Sequence, residues 1–92
     1  MNVQQRDSGE EGAFYVEENG RLLAELSYFW QDDQMIIAHT DVSDELRGQG
    51  AGKQLVAAAV AFARDRSITI LPFCPFAKQL FERTPAFQDV LG

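Results

Sequence analysis

The 92-residue chain is long enough for one small domain and no more. Its net charge of −6 leaves no basic footprint for nucleic acid or an anionic membrane, and suits a cationic amine instead. A single cysteine, Cys74, and a single histidine, His39, exclude an internal disulfide and a cysteine-based metal cage.

Residues 1–12 are polar and acidic, with almost nothing apolar, and read as a flexible lead-in rather than a secretory signal. No apolar run is long enough to span a bilayer, so a cytoplasmic protein is expected, with its domain over residues 13–92. Ala13 to Glu18 alternates around Phe14 and Val16 and predicts a strand. Asn19-Gly20 is a strong hairpin signal. Arg21 to Gln31 follows as a second strand, with Leu22, Ala24, Leu26, Tyr28 and Trp30 on one face and Leu23, Glu25, Ser27 and Phe29 on the other. Asp32-Asp33 reads as a tight turn, and Met35 to Val42 as a third strand in an antiparallel meander.

The pattern changes after Val42. Ser43 to Gly50 is polar and glycine-rich, and Ala51 to Arg66 predicts a helix with Leu55, Ala59, Phe62 and Ala63 at helical spacing. Ser67 to Phe73 is a short apolar run, expected to be a buried strand parallel to the third through a right-handed crossover. Pro75 and Pro85 bracket a shorter helix from Phe76 to Arg83, and Phe87 to Leu91 suits a last helical turn. The order predicts an α+β, or mixed α/β, domain: three antiparallel strands, a glycine loop, a helix, a parallel strand and a short C-terminal helix.

Arg47-Gly48-Gln49-Gly50-Ala51-Gly52-Lys53 stands where a strand passes into a helix. Glycines there permit left-handed backbone and close approach of a ligand, and successive amides can converge on an anion at the positive end of the helix dipole. Arg47 and Lys53 add charge, and a pyrophosphate is the natural guest. A P-loop is excluded because Arg47 stands five residues before Gly52 and Gln54 follows the lysine. The dinucleotide fingerprint fails because Lys53 and Leu55 occupy the places of its third glycine.

The segment from Arg47 to Gly52 resembles the acetyl-CoA pyrophosphate loop of the GNAT superfamily. With His39-Thr40-Asp41-Val42 before it, and Cys74-Pro75-Phe76 followed by Phe81 and Arg83 after it, the chain is similar to the minimal single-domain GNAT-like N-acetyltransferases over residues 13 to 92. The resemblance implies acetyl-CoA as co-substrate, without a metal, and an amine acceptor that is a small molecule or a protein lysine or N-terminus. It implies pyrophosphate on Arg47 to Lys53, pantetheine pairing with backbone near Asp41 and Val42 between splayed third and fourth strands, and Phe76 flanking the coenzyme. The helical segment that usually follows the first strand and helps bind the acceptor is missing, as are the closing C-terminal strands.

Two side chains are candidates for the chemistry. His39, as the one imidazole, suits a general base, or else a strand histidine satisfied by a hydrogen bond. Cys74, placed by the resemblance where the acyl group arrives, suits a nucleophile or a proton donor to the leaving thiolate, or else a small buried hydrophobe. Phe73, Phe76 and Phe81 line the pantetheine groove or fill the core. An N-acetyltransferase is the leading reading; a non-catalytic acyl-CoA-binding or sensing module, or an adaptor that kept only the fold, are the alternatives.

Overall fold

The computed structural model describes residues 1–92. Five strands form one sheet in sequential order: β1 (Gln4–Asp7), β2 (Glu11–Glu18), β3 (Arg21–Gln31), β4 (Gln34–Val42) and β5 (Thr69–Pro72). The first four are antiparallel, and β5 lies parallel to β4 across the helix α1 (Ala51–Arg66). A second helix, α2 (Pro75–Arg83), and 3₁₀ turns at Asp44–Leu46 and Pro85–Val90 complete an α+β domain.

Local chemistry accounts for most boundaries. Asn19 and Gly20 both hold positive φ, +53° and +78°, as a two-residue hairpin turn demands. The helix α1 stops at Ser67, which takes the left-handed conformation while its N–H and that of Ile68 return to the last turn. That cap delays β5 to Thr69, two residues later than the apolar run suggests. Pro75 occupies the first turn of α2, where its missing N–H is no loss, so the helix begins one residue before Phe76.

Two sequence expectations need correction. Residues 1–12 are not an unstructured lead-in: Gln4–Asp7 pairs with β2, making four antiparallel strands rather than three. This edge strand is exposed throughout, so no alternation announced it. It is held by hydrogen bonds instead. Asp7 accepts from Tyr28 Oη at 2.6 Å, Trp30 Nε1 at 2.9 Å and the Gly9 amide at 2.7 Å. Second, Leu22 does not share the inner face with Ala24. Val16 pairs with Ala24 and Glu17 with Leu22, which leaves Leu23 as a bulge residue. The bulge turns Leu23 into the core and Leu22 out to solvent.

One face of the sheet carries the core. Leu26, Tyr28, Met35, Ile37 and Ile70 pack with Leu55, Val56, Ala59, Val60 and Ala63 of α1 and with Ala77, Leu80 and Phe81 of α2 in a single cluster. Each large aliphatic side chain buried there contributes roughly 1.5–3 kcal/mol of transfer free energy. Phe81 is therefore core rather than groove lining. Ala13 and Ile36, equally buried, fall outside this cluster on the opposite face, to which neither helix adds a buried residue.

Candidate active site

The glycine loop is built as a cradle. Ser43 Oγ accepts from the Glu45 amide at 3.1 Å and starts the 3₁₀ turn. The amides of Arg47 and Gln49 are spent inside the loop, on Asp44 O and Leu46 O. Those of Gly48, Gly50, Ala51, Gly52 and Lys53 donate to no other backbone group. Gly48 and Gly50 sit at φ +82° and +74° with open space where a side chain would stand. Five free N–H groups thus gather at the positive end of a 16-residue helix, beside Lys53 and Arg47. The nearby carboxylates do not oppose an anion unscreened, because Asp44 pairs with Arg47 at 2.7 Å and Glu45 with Arg21.

The sheet opens next to this cradle. Pairing of β4 with β5 ends at Ile37 and Pro72. Ile37 O then accepts from both the Phe73 and Cys74 amides, at 3.0 and 3.2 Å, and beyond that point β4 runs on without β5. On its other side Tyr28 pairs with Ile37 and Ser27 with His39, so Ala38 is an unpaired bulge residue. A bulge at this point re-aims the following residues of β4. Thr40 is brought across the gap, with its Oγ1 3.4 Å from Cys74 Sγ and the thiol donating.

Cys74 is buried immediately before α2, as its N-cap. Burial pushes its thiol up. The Thr40 hydroxyl and the amides of Ala77, Phe76 and Thr40 more than offset this, and hold it below the ordinary thiol value. Thr40 was not singled out as a site residue. Strict alternation from Met35 and Ile37 would put Thr40 on the opposite face; only the bulge at Ala38 turns it to the covered side, so the sequence carried no signal for it.

The remaining candidates divide between two places. Val42, Arg47, Gly48, Gly50, Ala51, Gly52, Lys53 and Phe76 line one open groove between the loop and α2, joined by Leu46 and Leu80, which sequence reasoning missed. Ala51 presents its amide there while its methyl group is buried. Gln49 does not enter the groove: its side chain donates back to Glu45 O at 3.1 Å. Asp41 and His39 pair with Glu25 and Ser27 and face the other side of the sheet, away from Thr40 and Cys74. The His39 imidazole is exposed on that face and makes no hydrogen bond or ion pair with another side chain. Phe73 is 64% exposed and lies outside the groove.

The groove, the free amides and the unzipped strand suit an extended anionic thioester: phosphate oxygens at the loop, an amide-bearing chain along the free edge of β4, and a carbonyl near Cys74. Comparisons with known proteins bear on the family and the fold. The model of the GCN5-related N-acetyl-transferase family matches residues 13–90. A GCN5-like candidate N-acetyltransferase of Staphylococcus aureus is 38% identical, with 99% of this chain and 87% of that one aligned at a TM-score of 0.77. A ribosomal-protein-alanine N-acetyltransferase of Brucella melitensis shares the fold at 18% identity and a TM-score of 0.68, over 83% of this chain and 62% of its own. An aminoglycoside N-acetyltransferase in complex with CoA shares it at 9% identity and 0.64, over 89% and 88%. No curated protein sequence matches the chain.

Proposed function

The chain belongs to the GCN5-related N-acetyltransferase family, and from that premise we propose that it moves an acetyl group from acetyl-CoA to an amine, on a small molecule or on a protein. The observation that carries this is the conjunction of five free loop amides with the opening between β4 and Cys74. In this reading the pyrophosphate lies on the amides of Gly48 to Lys53 with Arg47 beside it, and pantetheine pairs with β4 backbone near Asp41 and Val42. Phe76 flanks the chain, and Gln49 shapes the loop.

The acceptor amine attacks the thioester carbonyl carbon, and the carbon–sulfur bond breaks. His39, on the open face of β4, takes the proton that the amine must lose, and Cys74, on the coenzyme side, gives a proton to the departing thiolate. Both recover their starting states by exchange with solvent. A first transfer to Cys74 itself is the competing order of events, and it would leave an acetylated protein when no acceptor is present.

Release of the CoA thiol from acetyl-CoA, followed with and without amines, tests this. Release that requires an amine, and that falls sharply in Cys74→Ser and His39→Gln, is expected. Tight acetyl-CoA binding with no amine-dependent release would favour a sensing module.

A further inference from the structure

The helix-free face of the sheet bears on what the acceptor is, on the premise that the acetyl-transfer reading above is correct. Cys74 is buried in the cluster that α1 and α2 share, so in that reading the helix-free face is the side left for an amine to approach the opening in β4. That face is bare. Ile36 is fully buried on it by neighbouring side chains alone, and its pairing partner Phe29 remains 41% exposed. A shallow groove runs over this face from Phe29 and Ser27 to the bulge residue Ala38, one residue beyond the carbonyl that holds Cys74 in place. His39 stands on the same face.

The charges bordering the groove have one sign to spare. Arg6 is committed to Glu25 at 2.6 Å, while Glu11, in the groove, and Asp41, farther along β4, have no ion-pair partner. From this geometry we propose that the acceptor is a polypeptide whose lysine side chain crosses this face, with apolar neighbours on Phe29 and its cationic groups toward Glu11 and Asp41. A small amine requires a concave pocket that surrounds most of its surface, which an uncovered sheet does not supply. An exposed aromatic ring on an uncovered sheet face, beside carboxylates without ion-pair partners, offers an anchor and a complementary charge to a cationic peptide.

The test compares acetylation of two probes, a hexapeptide library with one fixed central lysine and spermidine, by the full chain and by Phe29→Ser and Glu11→Lys. Acetyl-CoA titration verifies that both variants still bind coenzyme as the parent does. The expected result is a library KM raised about tenfold in each variant, with kcat little changed and spermidine turnover unaltered in Phe29→Ser. Preference of the parent for spermidine, or a library KM indifferent to both substitutions, overturns the docking surface and leaves acetyl transfer standing. Binding of acetyl-CoA with transfer to neither probe overturns both.

Discussion

The ring of Phe76 occupies the space that a side chain on Gly52 would need: a Cβ there would come within 2.5 Å of Phe76 Cζ. The missing side chain at the third glycine thus lets the Phe76 ring of α2 lie against the first turn of α1, whereas Gly48 and Gly50 face open space. Phe76 is 41% exposed, so its ring can swing aside, and alanine is favoured over glycine within a helix by about 1 kcal/mol. Gly52→Ala is accordingly predicted to leave Tm within a few degrees of the parent while moving Phe76 across the groove. Acetyl-CoA affinity should fall about tenfold, or some 1.4 kcal/mol. An unchanged Kd would separate Phe76 from the coenzyme.

Thr40 should set the reactivity of Cys74. Replacing it with valine keeps the volume and removes the hydroxyl that lies 3.4 Å from the sulfur. The pH profile of Cys74 alkylation by iodoacetamide is predicted to move to higher pH in Thr40→Val and to stay near the parent in Thr40→Ser. Coincident profiles for all three proteins would show that the hydroxyl does not tune the thiol.

The first strand hangs on Asp7. Burial pushes the Asp7 carboxyl up, but hydrogen bonds from Tyr28, Trp30 and the Gly9 amide, with the charge of Arg66, hold it below the ordinary range. A lowered folded-state pKa stabilises above the unfolded value of about 3.9, and that stabilisation disappears as pH falls through the folded value. Tyr28 has the opposite sign: burial, then the bond to Asp7, pushes it up to about 12. Its contribution is complete below about pH 10 and lost as pH rises toward 12. Urea midpoints across pH should therefore drop at both ends. Asp7→Ala should cost about 1–2 kcal/mol at neutral pH and flatten the acid limb. Tyr28→Phe should flatten the alkaline limb. An acid limb retained in full by Asp7→Ala would assign it to another carboxylate.

How far the sequence disclosed this molecule depended on whether a feature was local or long-range. The Asn19-Gly20 turn, the face of α1 and the proline start of α2 are set by neighbouring residues and could be read directly. The strand at Gln4–Asp7 could not, because what holds it is a carboxylate meeting Tyr28 and Trp30 more than twenty residues away. The bulges at Leu23 and Ala38 break the period-two rule without any glycine to mark them. The same bulge at Ala38 shaped the site: it lies where Thr40 turns toward Cys74, and no spacing in the sequence foretold that contact. Gly48, Gly50 and Gly52 were legible as a ligand loop, but only the packed structure separates the two with open space where a side chain would stand from the one that admits Phe76.

The most direct test of the account is calorimetric titration of acetyl-CoA into the parent, Gly50→Ala and Gly50→Glu proteins. Gly50 holds φ +74° with open space around its Cβ position, so both substitutions carry the same left-handed strain of about 1 kcal/mol and neither Cβ meets a neighbour. Only glutamate puts a carboxylate where the pyrophosphate is proposed to lie. Binding by the parent and by Gly50→Ala, with none by Gly50→Glu, is the predicted result. Equal binding by all three would move the coenzyme off this loop, and no binding by the parent would contradict the acetyl-transfer account altogether.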